Sequence, residues 1–252
     1  MKQRDGMQAR ITVRTIALYA LLSLFACSFR VSAAPSHAAV YGTEITWIYR
    51  CNRNAGETVA LTFDDGPHPR LTPIILDILK EYGIRATFFL VGENVELYPE
   101  LVRRIHEEGH EIANHTHSHV ESTKVAIDRM EEEVLRCEAA IGSVVDVRPT
   151  LFRPPQGAFT EELGALCDSL GYRVVLWSID TRDWCHVPAE EISLSVLKKV
   201  RDGDIILMHD YIGHDSPTPE ALKKIIPALL RRGYRFSTIS ALLGSDGADA
   251  DD

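Results

Sequence analysis

The chain has 252 residues, of which 45% are hydrophobic and 25% charged, and its net charge is −9 at pH 7. These values are ordinary for a globular protein and exclude a mostly disordered chain, a collagen-like chain and a small disulfide-packed scaffold. Of its 27 basic and 36 acidic residues, five basic and one acidic lie among the first 33, which leaves 22 basic and 35 acidic residues beyond them. Because the remainder is acidic, we expect no nucleic-acid partner held on a basic face.

The N-terminus has the pattern of a secretory signal peptide. Scattered basic residues precede an uncharged apolar run at 15–29, and small residues follow it. We expect a signal segment at 1–34, cleaved near Ala33 or Ala34, with lipoprotein processing at Cys27 as the alternative. The run is shorter than the ~20 residues that span a bilayer, so no stable membrane span is expected after processing. Either route makes the protein exported: periplasmic, cell-wall associated or secreted.

A lead-in at 35–56 precedes a region where apolar runs alternate with amphipathic stretches, and an acidic tail follows at 245–252. The runs predict buried strands at 58–63, 86–91, 111–114, 151–153, 173–178, 204–209 and 234–239. The stretches predict helices at 71–82, 99–108, 123–141, 160–170, 188–201 and 219–232. A glycine follows each predicted helix within two residues, a common C-terminal signal because glycine accepts a positive φ.

Seven strands alternating with six helices predict one α/β domain, at 57–244, built on a parallel sheet. Periodicity does not say whether this sheet closes into a barrel. Asp64 and Asp65 follow the first predicted strand, His115 follows the third, and His209 ends the sixth. Parallel α/β folds carry their sites at the C-terminal ends of strands, so this distribution predicts an active site there.

Four cysteines lie beyond the predicted signal segment: Cys51, Cys137, Cys167 and Cys185. An exported protein meets an oxidising compartment, and four cysteines can pair in three ways. Cys137 and Cys167 fall on the apolar stripes of predicted helices, so buried free thiols are the alternative to disulfides.

Two motifs carry the metal chemistry. In the sequence TFDDGP, the carboxylates of Asp64 and Asp65 would raise each other's pKa, and a bound cation relieves that conflict. The alternative is a plain turn, because Asp-Gly-Pro is a turn sequence. Three histidines in five residues follow at His115, His117 and His119. Two imidazoles and one carboxylate would leave an open coordination position, the pattern of a catalytic zinc-type site.

Five ordered motifs resemble those of the polysaccharide deacetylases, the NodB-homology group of carbohydrate esterase family 4. They are TFDDGP, His-Thr-x-x-His, Arg-Pro-Pro-x-Gly at 153–157, Asp-x-x-Asp-Trp at 180–184 and Leu-x-His-Asp at 207–210. The resemblance extends from about residue 59 to the end of the chain. It implies a distorted (β/α)7 barrel and a metal-dependent hydrolase that removes acetyl groups from N-acetylated sugars.

The resemblance also implies the main catalytic roles. Asp65, His115 and His119 would bind a divalent metal, zinc first, with cobalt or nickel as alternatives. Asp64 would be the general base that activates the attacking water. His209 would protonate the departing amine, which is a poor leaving group without a proton.

Supporting roles follow from the same resemblance. Arg153 would orient the base, and Asp183 would hold His209 in its protonated form, with Asp180 as the alternative to Asp183. The backbone N–H of Gln156 would help to hold the oxyanion.

Two further residues, Trp184 and Leu207, would line the slot for the acetyl methyl group. Position 156 is often Tyr in the family, so the Gln here removes an aromatic wall and keeps the backbone donor. His117 has no family role, and we expect it to face outward or to be structural.

The function that follows is an exported N-deacetylase acting on a glycan, with peptidoglycan as the first substrate and chitooligosaccharide as the second. An O-acetyl polysaccharide esterase is the nearest alternative, because the same water attack would cleave an ester. A catalytically inactive glycan-binding protein is the alternative from another class, and an unrelated amidohydrolase using His115 and His117 is a third. We expect a monomer whose partner is its glycan substrate.

Overall fold

The computed structural model describes residues 48–211 and 215–244. The strands are β1 Thr58–Asp64, β2 Thr87–Leu90, β3 Glu111–Asn114, β4 Leu151–Phe152, β5 Arg173–Val174, β6 Ile179–Asp180, β7 Ile205–His209 and β8 Arg235–Phe236. The helices are α1 Leu71–Glu81, α2 Gly92–Leu97, α3 Pro99–Glu107, α4 Ile127–Val144, α5 Glu161–Ser169, α6 Ala189–Lys199, α7 Thr218–Arg231 and α8 Ile239–Leu243. The predicted signal segment, its cleavage positions and the acidic tail lie outside these residues.

The strands form a parallel sheet in the order β5-β4-β3-β2-β1-β7-β6, and β8 pairs with the start of β1. β1 is central, and all seven of its residues are buried. Its register sets Thr62 beside Thr87 of β2, and Asp64 beside His209 of β7. The predicted parallel sheet is therefore confirmed, and its C-terminal edge brings chemical groups from distant parts of the chain together.

The sheet curls because its two ends are joined by very little chain. β5 and β6 stand at opposite ends of the strand order, yet only residues 175–178 separate them. Six strand spacings in a flat sheet would cover about 29 Å, whereas five extended peptide steps reach about 17 Å. Tyr49 of the lead-in bridges this seam beside Val175. The distorted barrel that the family resemblance implies is thus confirmed.

Apolar side chains fill both sides of the sheet. Between the sheet and its helices, the rings of Phe63 and Phe88 stack 5.0 Å apart within the larger buried cluster. A smaller cluster on the other face includes Ala60, Phe89 and Ile205. Alternate residues of β1 therefore point to opposite faces, and both are buried, as expected for a strand covered on each side.

Two predicted strands differ from the structure. The strand predicted at 173–178 is confirmed only at β5, because the residues that follow β5 pair with the lead-in instead: Leu176 N–H donates to the carbonyl of Tyr49 at 2.8 Å. β6, at Ile179–Asp180, lies just beyond the predicted range. The predicted strand 234–239 shortens to β8, because Thr238 caps α8, its hydroxyl accepting from a backbone N–H in the first turn.

The helices were predicted well except at four places. The helix predicted at 123–141 begins at Ile127, after a short 3-10 turn at Ser122–Lys124, and it continues through Gly142 to Val144. Gly142 is therefore wrong as a C-terminal signal; an interior glycine costs a helix only about 1 kcal/mol. Helices α2, of six residues, and α8, of five residues, were not predicted because each is too short to show a helical period.

Neither α4 nor any other helix within 48–211 and 215–244 is long and apolar enough to cross a bilayer. The four cysteines are free thiols, with Cys137 and Cys167 buried, Cys51 half-buried and Cys185 exposed. Burial raises the pKa of Cys137 and Cys167 to about 12, so both are inert core residues. Of the two alternatives for this pair, the structure has the buried free thiols.

Candidate active site

The predicted metal ligands come together at the C-terminal edge of the sheet. Asp65 Oδ1 lies 3.3 Å from His115 Nε2 and 3.0 Å from His119 Nε2. One ligand atom from each residue lies within 4.8 Å of the other two. Bonds of 2.0–2.1 Å in a tetrahedral zinc centre would set ligand atoms about 3.3 Å apart. The donor set and its spacing therefore fit one divalent cation.

The sheet itself orients the first histidine. His115 follows β3, and its backbone N–H donates to the Leu90 carbonyl of β2 at 2.9 Å. Its ring Nδ1 lies 2.6 Å from the carbonyl oxygen of Arg153, to which it can donate a proton. That hydrogen bond leaves the lone pair on Nε2, the atom that faces Asp65. The tautomer required of a metal ligand is thus selected by the backbone of the neighbouring strand.

Asp65 is held as an anion. Burial alone would raise the pKa of Asp65, but when His115 and His119 are protonated, their hydrogen bonds and positive charges bring it well below the usual value. The carboxylate is consequently available as a ligand at neutral pH.

The backbone at this edge adopts left-handed conformations that non-glycine residues rarely use. Positive φ angles between 54° and 76° occur at Asp65, Thr116, His119, Gln156, Arg182 and His186. Each such residue costs of order 1 kcal/mol or more, and such residues cluster at functional sites. All six lie in the loops that follow strands, which is where the motifs were found.

Asp64 occupies a different environment from its neighbour in sequence. Arg153 donates from Nη1 to Asp64 Oδ1 at 2.6 Å and to the hydroxyl of Thr62 at 2.8 Å. Arg153 is fully buried, and its guanidinium lies 3.9 Å from the centroid of the Phe89 ring. The other oxygen, Asp64 Oδ2, is 3.9 Å from His115 Nε2. One carboxylate oxygen is therefore fixed by an arginine, while the other faces His115, one of the three predicted ligands.

On the opposite side, Asp183 organises His209. Its Oδ1 lies 2.7 Å from His209 Nδ1, and its Oδ2 accepts from the His209 backbone N–H at 2.8 Å. Thr218, the first residue of α7, donates to the same Oδ2 at 2.6 Å. Asp180 instead accepts from the backbone N–H of Arg182 at 2.8 Å. The geometry thus separates two carboxylates that the sequence left as alternatives.

This arrangement raises the pKa of His209. Burial would lower the pKa of His209, but its hydrogen bond to Asp183 and the negative charges of Asp183, Asp64 and Asp65 raise it to about 9. His209 therefore carries a proton at neutral pH, and its Nδ1 is engaged by Asp183. Its Nε2 has no hydrogen-bond partner within residues 48–211 and 215–244, and it is the atom that can deliver a proton to a bound molecule.

The remaining residues singled out in the sequence differ in solvent exposure. Gln156 is exposed, Trp184 is 49% exposed, and Leu207 is buried at 3%. His117 is buried and its Nε2 lies 3.1 Å from Glu96 Oε1. His117 is thus structural, and its ring contacts a carboxylate outside the three-residue ligand cluster.

Sequence reasoning missed two polar side chains that support the site. Thr218 bonds to Asp183 from 35 positions away, and Glu133 of α4 bonds to Ser118, between His117 and His119, from 15 positions away. Neither belongs to a motif, and both lie on helices that otherwise show amphipathic periodicity. Only the charge of Glu133 on the buried face of a helix offered a signal, because an unpaired carboxylate there is unfavourable.

Comparison with known proteins gives consistent matches. A model of the family described as polysaccharide deacetylase matches residues 52–175. The chain is 40% identical over 201 residues to a peptidoglycan-N-acetylglucosamine deacetylase of Bacillus cereus, covering 79% of this chain and 92% of that protein. It is 37% identical over 217 residues to a chitooligosaccharide deacetylase of a Bradyrhizobium species, covering 79% of this chain and 99% of that protein.

A solved structure agrees with the fold. The crystal structure of a peptidoglycan N-acetylglucosamine deacetylase in complex with 4-naphthalen-1-yl-N-oxidanyl-benzamide matches with a TM-score of 0.76 at 38% identity. The match covers 79% of this chain and 92% of that chain. Because these relatives match over nearly their whole length, the chain belongs to the polysaccharide deacetylase family.

Proposed function

We propose that this protein is an exported, metal-dependent N-deacetylase that removes acetyl groups from N-acetylated glycans, through its domain at 57–244. The observation that carries the proposal is the arrangement around Asp65, His115 and His119. An arginine-held carboxylate and an aspartate-held histidine flank this cluster, on two neighbouring strands. Amide hydrolysis needs such a base and such an acid within reach of one substrate.

The metal proposed for the three ligands is zinc, because two imidazoles and a carboxylate suit it; cobalt or nickel would accept the same donors. When bound, the ion supplies positive charge that acidifies a water molecule and polarises the amide carbonyl. The chain contributes the ligands' preset geometry: His115 is fixed through Nδ1, and Asp65 is kept anionic.

Asp64 is the proposed general base. Its Oδ1 is occupied by Arg153, so Oδ2 is the oxygen left to accept a proton from water. His209 is the proposed general acid and carries its proton on Nε2 while Asp183 holds Nδ1. Because an amine leaves far more easily once protonated, this acid is what favours amide cleavage over ester cleavage.

The proposed substrate contacts lie around the metal site, at the C-terminal edge of the sheet. The backbone N–H of Gln156, in a loop of positive φ, would donate to the developing oxyanion. Trp184 and Leu207 would flank the acetyl methyl group, with the half-exposed indole toward the sugar.

Acetate release from defined substrates tests the proposal. We expect release from N-acetylglucosamine oligomers and from muropeptides, little release from O-acetylated xylan, and none after removal of metal with a chelator. Faster release from O-acetylated xylan than from both N-acetylated glycans would make the protein an O-acetyl esterase. Glycan binding with no release from any substrate would make it a binding protein.

Peptidoglycan is the first proposed substrate, and chitooligosaccharide the second. The similarity to deacetylases named for these two glycans supports that order, as does the N-terminal signal pattern. Mass spectrometry of muropeptides from cells with and without the protein should show fewer acetyl groups when it is present. Unchanged muropeptides, with deacetylated chitooligosaccharides, would favour the second substrate.

A further inference from the structure

The segment that carries His119 is held from outside by hydrogen bonds. We call residues 116–118 the ligand loop. At the start of α2, the backbone N–H groups of Gly92 and Glu93 donate to the carbonyl oxygens of Thr116 and His117, at 3.0 and 2.9 Å. These bonds fix the carbonyl groups of Thr116 and His117. The backbone N–H of Ser118, the last residue of the ligand loop, needs a separate acceptor.

That acceptor is a carboxylate on α4. Glu133 Oε2 accepts from the Ser118 backbone N–H at 2.7 Å, and Oε1 accepts from the Ser118 hydroxyl at 2.9 Å. Glu133 is fully buried, and Arg129, one turn earlier on α4, also contacts its Oε1. A buried carboxylate is unfavourable unless it is paired and hydrogen-bonded. In Glu133, both carboxylate oxygens accept hydrogen bonds from Ser118, the residue that precedes His119.

The two histidines of the metal site are anchored differently. His115 has a ring hydrogen bond from Nδ1 to a backbone carbonyl, which orients the imidazole directly. Among the described residues, His119 has no such bond at Nδ1, and its side chain is 38% exposed. Its backbone also has a positive φ of 55°. The position of the His119 ring therefore depends on the backbone at Ser118.

We propose that Glu133 is a positioning residue for the metal site: by fixing both donors of Ser118, it sets His119 Nε2 against Asp65. The inference rests on the proposed function, because the metal is itself proposed. Residues that orient metal ligands by hydrogen bonds, without binding the metal themselves, change metal affinity by about 10–100-fold when they are replaced. Glu133 touches no reacting atom, so its effect is expected in affinity for zinc rather than in the chemical step.

The test compares Glu133→Gln with Glu132→Gln. The first variant keeps the side-chain volume but replaces one acceptor oxygen with an amino group, so it cannot accept the two Ser118 donors on separate oxygens. Glu132 is the matched control, because it lies on the same helix and pairs with the same Arg129, at 2.6 Å, without contacting Ser118. Competition with a chromogenic chelator should show zinc affinity lowered about 10–100-fold in Glu133→Gln and within twofold of the original in Glu132→Gln.

A second readout separates positioning from general destabilisation. Turnover of Glu133→Gln should return to near the original kcat when zinc is saturating, because the base and acid are untouched. Zinc affinity within twofold of the original protein, or lost turnover that saturating zinc does not restore, would overturn the proposal.

Ser118→Ala tests the same contact from the side of Ser118, in case Glu133→Gln does not fold. It removes only the hydroxyl, so we expect a smaller loss of zinc affinity, of about threefold to tenfold. In the double variant the losses should be less than additive, since both changes break one contact. An original protein that binds no zinc would refute the proposed metal site, whereas equal binding by the original protein and all variants would refute only the role of Glu133.

Discussion

At the scale of single residues, the site shows how two adjacent carboxylates acquire different chemistry. Asp64 ends β1 and is bonded to the buried Arg153, whereas Asp65, one position later, has a positive φ and turns toward two histidines. The turn of the backbone separates the carboxylates so that each meets a different partner. The like-charge conflict expected from the sequence is thereby relieved, because Arg153 pairs with one carboxylate and two imidazoles face the other.

Asp64→Asn should abolish most turnover while leaving metal in place. The amide cannot accept a proton from water, and general bases contribute about 10²–10⁴-fold, so kcat for an N-acetyl substrate should fall by that order. Elemental analysis and steady-state rates check this, with Asp65→Asn as the control that should lose metal. Near-normal turnover by a metal-loaded Asp64→Asn protein would contradict the assignment of the base.

The alkaline limb of the pH–rate profile should report His209. Its pKa is raised to about 9, and it acts as an acid only when protonated, so kcat should be retained below that pH and lost above it. Asp183→Asn removes the charge that stabilises the protonated ring, so its alkaline limb should move to lower pH. A limb at the same pH in both proteins would mean that another group titrates there.

His209→Ala should reduce cleavage of an N-acetyl amide more than cleavage of an activated ester. An activated alkoxide leaves without a proton, whereas the amine does not, so the expected difference lies within the 10²–10⁴-fold range of acid catalysis. Rates on the two substrates should be measured with the same metal-loaded protein. Equal losses on both would leave His209 without its acid role.

At the scale of elements, strand ends were the most predictable part of the molecule. The runs at 58–63 and 204–209 differ from β1 and β7 by one residue, because continuous burial leaves a clear apolar pattern. Since parallel strands end at one edge, the motifs after them could be assigned to one site. The break at 175–178 could not be predicted, because it depends on Tyr49, more than 120 positions away.

Support from helices was not predictable either. Thr218 and Glu133 contact the site through packing of α7 and α4 against the sheet, and helical periodicity does not identify which loop a buried polar residue will meet. The roles of Asp180 and Asp183 also needed coordinates, because Asp180 ends β6 and Asp183 follows only three positions later.

Two glycines should respond in opposite directions to substitution by alanine. Gly203 precedes β7 with a φ of 71°, and an added Cβ would collide with the backbone carbonyl of Asn52. Strain and overpacking together should lower the free energy of unfolding by roughly 2–5 kcal/mol. Gly142 lies within α4 with open space around it, so Gly142→Ala should raise that free energy by about 0.5–1 kcal/mol. Urea denaturation measures both, and a stable Gly203→Ala protein would contradict the close contact.

At the scale of the whole molecule, curling of the sheet is what assembles the site. The proposed base ends β1 and the proposed ligands lie in the loops after β1 and β3, whereas the proposed acid and its aspartate lie at the end of β7 and in the loop after β6. An ion bound to Asp65, His115 and His119 would therefore tie together loops from separate strands. Binding to the folded state alone stabilises it by mass action.

Zinc should consequently raise the melting temperature of the protein. At a free concentration of 1,000 times Kd, the gain is about 4 kcal/mol, which corresponds to roughly 8–16 °C for a domain of this size. His119→Ala removes one of three ligands, so its melting temperature should hardly respond to zinc. Thermal denaturation with and without the metal decides this. Equal zinc-induced shifts in both proteins would indicate binding elsewhere.

The central position of β1 has a consequence for how the chain is made. Thr62 donates to the carbonyl of Ile206 across the β1–β7 edge, 144 positions later in the chain. At ~5–20 residues per second, a ribosome needs about 7–29 s to add that length. Throughout this interval β1 has an open edge, and the growing chain gains Asp65, His115 and His119 during it but His209 only afterwards. A protein exported as we propose would thus remain unfinished, and competent to be threaded through a membrane, until its final third has been synthesised.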